Sequence, residues 1–193
     1  MDANSSLLAS CVDACQLAYQ NPANAVYTIE SDNIQGFSRL IFIKGLPHIQ
    51  IAIAGTNDLQ DWFDNLMLCS CKYGFHCGWL HAYWEIELQI IDILKLYPKF
   101  PVVFTGHSAG AAIAGIASHF WSEYNPCDFV GFAAPRFCSE SRAKELEKAV
   151  RVQVINHYLD PITYLPLSFT QLSGKRKWWW GNPHGLQQLW NKK

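Results

Sequence analysis

No stretch of 18 uninterrupted apolar residues occurs in the 193-residue chain, which removes a membrane-spanning helix from its expected elements. Charge is scarce as well: Asp, Glu, Lys and Arg make up 16% of the residues and the formal net charge is −1. Without a basic excess there is no electrostatic footprint for nucleic acid, so no such partner is expected. Internal repeats, linkers and low-complexity blocks are missing, as are a phosphate loop and a dinucleotide fingerprint, so no cofactor is implied. The opening MDANSSLLASCVDAC carries Asp2 and Asp13, has no positive flank and offers only a broken apolar run. That is a poor secretory signal; a cytoplasmic location is expected, with secretion open if a leader has been trimmed.

What is present is apolar. Half the residues are hydrophobic, and 193 residues suffice for one sizeable core, so a single domain over 1–193 is expected. Seven cysteines are an odd number, in a chain that needs no staples at this size, and free thiols in a reducing compartment are the expectation. Cys69 and Cys71, with Cys77 and either His76 or His81, could be drawn as a zinc site. The C-x-C spacing is not that of common structural zinc, and a helix starting at Gly78 accounts for the segment, so no metal is expected.

Periodicity gives the layout. Leu8, Cys11, Cys15 and Ala18 step by three and four, predicting an amphipathic helix. FSRLIFI (37–43) and HIQIAIA (48–54), around Gly45-Leu46-Pro47, predict a hairpin. Tyr83, Ile86, Ile90, Ile93 and Tyr97 predict a long helix stopped by Pro98. PVVFT (101–105), DFVGFAA (128–134) and VRVQVIN (150–156) read as buried strands, with the helix AAIAGIASHFW after the first and another, capped by Ser139, before the last. Strands alternating with helices imply an α/β protein with a mainly parallel central sheet and helices on both faces.

Between PVVFT and the alanine-rich helix stands Gly106-His107-Ser108-Ala109-Gly110. G-x-S-x-G between a strand and a helix is a nucleophile elbow: glycines two positions either side let strand and helix pass closely, and the serine hydroxyl is pushed out at the sheet's carboxyl edge. A serine is a weak nucleophile unless a histidine takes its proton and an acid orients that histidine. On such a sheet the acid and then the histidine follow the serine. Asp160, just after VRVQVIN, stands where the acid is due, whereas Glu123, Asp128 and Glu140 fall in or beside helices or open a strand. Beyond Asp160 only His184 remains, in the loop GNPHG. His107 is expected to point away and to pack or hydrogen-bond locally; His48, His76, His81, His119 and His157 are read as packing or surface residues. Ala109 N–H is the expected first oxyanion donor. Thr56, after the strand ending at Gly55, offers a second or is simply a polar turn.

AGTNDLQDWFDNL, FHCGWLHAY, FTGHSAGAAIAG, VGFAAPRF and VINHYLDPITYLP, in that order, resemble the class 3 lipase family, the fungal-lipase-like branch of the α/β-hydrolase fold, across residues 20–190. The resemblance implies a carboxylic-ester hydrolase with Ser108 as nucleophile, Asp160 as acid, His184 as base and Thr56 in the oxyanion hole, with a lid near Asp61-Trp62. Ala54 and Ala109 depart from the family's usual arginine and leucine, and the stretch from Thr56 to His76 is short, implying a reduced lid. No histidine follows His184, so either it is the base or the chain is inactive. The implied substrates are acylglycerols, with a phospholipase, a soluble short-chain esterase or an inactive lipid-binding module as alternatives. In GKRKWWWGNP, Trp178, Trp179 and Trp180 follow three cations, a composition suited to a lipid surface, against which stands core packing.

Overall fold

The structure is a computed structural model that describes residues 3–20, 25–55, 71–177 and 182–186. One sheet runs in the order β1 (Tyr27–Glu30), β2 (Gln35–Ile43), β3 (Leu46–Ile53), β6 (Val102–His107), β7 (Cys127–Phe132), β8 (Arg151–His157) and β9 (Gly174–Lys177). The pairs from β3 onward are parallel and the first two are antiparallel. A separate two-stranded hairpin, β4 (Cys71–Lys72) with β5 (Phe75–His76), leads into the second described helix. The described helices are α1 (Ala3–Ala18), α2 (Cys77–Leu96), α3 (Ala109–Trp121) and α4 (Glu140–Ala149).

Side chains alternate across a strand, so each central strand feeds two layers. Ile49, Ile51 and Ile53 of β3, Phe104 of β6 and Phe129 of β7 enter the larger core, packed against Leu80, Tyr83, Ile86 and Ile90 of α2 and the alanine face of α3. Val103, Val130, Phe132 and Ile155 face the other way, onto Leu7, Cys11, Val12 and Cys15 of α1. The same period sends three polar residues toward α1. Cys15 Sγ lies 3.3 Å from Thr105 Oγ1, Gln50 Nε2 reaches Cys11 Sγ at 3.3 Å, and His107 meets Tyr19, just past the end of α1.

The expected helices and central strands are present, with shifted ends. PVVFT continues through Gly106 to His107 before the chain turns, and Tyr97 caps α2 where Pro98 disfavours further helix. Ser139 caps α4, its hydroxyl accepting from Arg142 N–H at 3.4 Å. Two edge strands, β1 and β9, were not expected. Gly174–Lys177 pairs with Val154–His157 because its backbone fits that edge in parallel register whatever its polar side chains do.

One correction concerns the cysteines. Cys11, Cys15, Cys127 and Cys138 are free and buried, as expected, but Cys77 is disulfide-bonded. Sulfur in a disulfide is not a thiolate ligand, so Cys77 also drops out of the zinc arrangement drawn from the sequence. Trp178, Trp179 and Trp180 lie outside the described residues, as does Asp61-Trp62.

Candidate active site

Ser108 is the residue at which β6 becomes α3. Its φ of 56° and ψ of −125° are a conformation that side-chain-bearing residues rarely adopt, and such strain persists only where surroundings enforce it. Ser108 N–H donates to Phe132 O of β7 at 2.9 Å, and Ala111 N–H donates to Ser108 O at 3.0 Å. The flanking glycines are needed sterically. A methyl group on Gly106 would run into the carbonyl of Gly110, and one on Gly110 into the carbonyls of Ile53 and Ala54. Ser108 itself is 1% exposed.

The structure brings Ser108, His184 and Asp160 together from loops 24 and 76 residues apart in sequence. His184 Nε2 stands 2.9 Å from Ser108 Oγ, and His184 Nδ1 stands 2.8 Å from Asp160 Oδ2. A carboxylate accepts, so Nδ1 carries the proton and Nε2 presents its lone pair to the serine hydroxyl.

Each partner is locally held. Asp160, fully buried, follows β8 and opens the 3-10 helix Pro161–Tyr164, its Oδ1 accepting from Ile162 N–H at 3.1 Å. Thr163 Oγ1 donates to Asp160 O at 2.9 Å, and Arg176 of β9 reaches Thr163 Oγ1 and His157 O while stacking over Tyr164. The unexpected edge strand therefore braces the acid's loop. His184 rides a turn closed by Asn182, whose Oδ1 accepts from His184 N–H at 3.0 Å and whose carbonyl accepts from Gly185 N–H at 3.1 Å.

Of the two expected oxyanion donors, Ala109 is the first residue of α3, where a helix leaves its N–H groups without intrahelical acceptors. Thr56 lies outside the described residues. Cysteine offers no rival nucleophile in this layer: burial pushes the Cys11 thiol up to about 12 and the Cys15 thiol up as well.

His107 departs from its expected local role. Its Nε2 bonds the carbonyl of His184 at 2.8 Å and its Nδ1 bonds Tyr19 Oη at 2.9 Å, contacts spanning 77 and 88 residues. Neither Tyr19 nor Asn182 was singled out by sequence, and nothing in the spacing of a tyrosine at a helix end signals a partner so distant.

A mainly parallel sheet, covered on both faces and turning into a helix at a strained G-x-S-x-G serine, defines an α/β-hydrolase. Residues 41–170 match the class 3 lipase family, and the chain belongs to it. Among curated relatives it is 26% identical over 132 residues to a secreted mono- and diacylglycerol lipase 1 of Fusarium solani, covering 61% of this chain and 39% of that protein. A Rhizomucor miehei lipase is 30% identical over 76 residues, covering 34% of this chain and 21% of that protein. The chain thus spans well under half the length of these relatives. Among solved structures, the nonglycosylated Yarrowia lipolytica LIP2 lipase superposes with a TM-score of 0.73 at 15% identity, covering 92% of this chain and 81% of that one. The mono- and diacylglycerol lipase of Aspergillus oryzae gives 0.70 at 18% identity, covering 86% and 75%. At these identities the superpositions speak for the fold.

Proposed function

We propose that the protein is a serine carboxylic-ester hydrolase acting on acylglycerols. The observation that carries this reading is the hydrogen-bonded series Ser108 Oγ, His184 Nε2, His184 Nδ1 and Asp160 Oδ2, at 2.9 and 2.8 Å, seated on a strained elbow. In the reaction, His184 Nε2 takes the hydroxyl proton as Ser108 Oγ attacks the acyl carbonyl carbon. The carbonyl oxygen becomes an oxyanion, met by the Ala109 N–H and by Thr56. As the tetrahedral adduct collapses, the imidazolium gives its proton to the leaving alkoxide and an acyl-serine ester remains. Water, deprotonated by the same imidazole, attacks that ester, and the acid departs with Ser108 restored. Asp160 stays ionised throughout, fixing the tautomer and stabilising the imidazolium.

The alternative of an inactive lipid-binding module needs His184 out of reach of Ser108, and a 2.9 Å separation favours turnover. For the substrate, support comes from the relatives named as mono- and diacylglycerol lipases. Lipid contact through Trp178, Trp179 and Trp180 is part of the proposal, supported by exposed Leu159, beside Asp160, and exposed Leu167. No described helix is long and apolar enough to cross a membrane. The disulfide at Cys77 and the word "secreted" in the relatives' names support an oxidising compartment rather than the cytoplasm.

The test is hydrolysis of p-nitrophenyl esters of increasing chain length by wild type and Ser108→Ala. Expected is activity only in wild type, rising as the ester passes its micellar threshold. Equal activity in both proteins overturns the serine mechanism; preference for short soluble esters with no rise overturns the lipid substrate.

A further inference from the structure

Tyr19 lies where α1 ends, and its phenol oxygen meets two segments of the candidate site at once. Gly55 N–H donates to it at 2.9 Å, and it bonds His107 Nδ1 at 2.9 Å. His107 in turn bonds the carbonyl of His184 at 2.8 Å. The direction of each bond follows from what each partner can do. A carbonyl oxygen only accepts, so His107 Nε2 carries the proton. Burial, with His184 nearby, lowers the pKa of His107 to about 4, so the ring is neutral and Nδ1 accepts. Tyr19, raised by burial to about 12, keeps its proton and donates it to Nδ1, and its oxygen accepts from Gly55. Protons therefore point one way along the series, from Gly55 to Tyr19 to His107 to the main chain of His184.

Packing draws the same pieces together. A methyl group on Gly55 would sit 2.6 Å from Tyr19 Oη, 2.8 Å from His107 O and 3.2 Å from Ser108 Cβ, so the strand end before Thr56 lies against both tyrosine and elbow. The His184 turn is short, and His107 bonds its backbone from a distant part of the chain at 2.8 Å.

We propose that Tyr19 is a positioning residue which, through Gly55 and through His107, sets the oxyanion segment and the His184 backbone against Ser108. This rests on the hydrolase reading for its effect on rate but not for the arrangement itself. Tyr19 touches no reacting atom in this role. One consequence is that the Gly55 N–H, engaged by Tyr19, is not an oxyanion donor.

The test is Tyr19→Phe, which removes one oxygen and keeps the ring that sits edge-on to His107. Because displacements near 1 Å can lower rates on the order of 100-fold, kcat on a soluble ester is expected to fall roughly 10- to 100-fold, with KM nearly unchanged. His107→Gln, whose amide nitrogen can still donate to the His184 carbonyl, should retain far more activity than His107→Asn, which falls short of it. Tyr19→Phe combined with His107→Asn should lose little more than the worse single variant, as expected of groups in one series. Rates are counted per site titrated with an organophosphonate, so loss of folded protein does not imitate the effect. Proton NMR gives a readout independent of turnover: the low-field His184 Nδ1 proton, bonded to Asp160, should be sharp in wild type and broadened in Tyr19→Phe.

An unchanged kcat together with an unchanged resonance in Tyr19→Phe overturns the proposal, as do losses that multiply in the double variant. A wild type that shows the resonance and its broadening in Tyr19→Phe, yet hydrolyses no ester, overturns the hydrolase reading and leaves the positioning role standing.

Discussion

Asp160 Oδ2 accepts a 2.8 Å hydrogen bond from Nδ1 of His184 while having no exposure to solvent. A buried carboxylate with one oxygen on an imidazole and the other on the Ile162 N–H has its orientation determined from both sides. Asp160→Asn keeps the shape and the acceptor for Ile162 but can turn an amide N–H toward Nδ1, which favours the tautomer unable to take the serine proton. The expected outcome is a folded protein whose kcat falls on the order of 10³- to 10⁴-fold, the scale known for such a replacement in serine proteases. Circular dichroism and steady-state kinetics on one preparation check both halves.

The elbow predicts a contrast between two glycines. Gly110→Ala would drive a methyl group into the carbonyls of Ile53 and Ala54, backbone atoms at the end of a central strand that cannot yield cheaply. Gly45→Ala stands at φ 79° in open space and meets only the backbone penalty. Urea unfolding should show a loss of about 3 kcal/mol or more for the former by overpacking. For the latter, the left-handed backbone alone should cost about 1 to 2 kcal/mol.

His107 makes stability depend on pH. An unfolded histidine titrates near 6.5, whereas burial holds the folded ring down to about 4. Between those values the unfolded chain binds a proton that the folded one refuses, so stability is lost as pH falls from 6.5 toward 4 and is complete above 6.5. His119, lowered by burial and by Arg142, adds a change of the same sign. The groups facing His107 are Tyr19, His184 and Asp160. Comparing urea unfolding at pH 7 and pH 5 should show wild type losing more stability than His107→Gln, by up to about 1.4 kcal/mol per pH unit.

The cysteines make a countable prediction. Seven are present, and the disulfide at Cys77 consumes two, so unfolded but unreduced protein should titrate five thiols. Seven after reduction, together with a lower melting temperature, is the matching control, since losing a native disulfide typically costs about 2 to 5 kcal/mol.

The readable parts of this chain share a physical cause. Central parallel strands such as Val102–His107 are buried on both faces and open on an apolar run, and the helices beside them carry a clear apolar stripe, so both stand out against polar loops. Ser108, Asp160 and His184 were legible because each sits at a strand end or in a late loop where the chemistry restricts the choice to few residues. β1 and β9 were not, since an edge strand has its pairing on one side only and can carry a run such as Gly174-Lys175-Arg176-Lys177 without an apolar alternation. The Tyr19 to His107 contact was hidden for another reason: it depends on where α1 crosses the sheet, which no local pattern encodes. The disulfide at Cys77 was hidden likewise, because pairing is decided by proximity in the fold and not by spacing along the chain.

Covalent labelling of the intact protein with an organophosphonate ester, followed by peptide mass mapping, tests the central claim most directly. The account predicts a single adduct on Ser108 in wild type, none in Ser108→Ala and greatly slowed labelling in His184→Ala. Wild-type protein that forms no adduct, or forms it on another side chain, would contradict the assignment of Ser108 as the activated nucleophile.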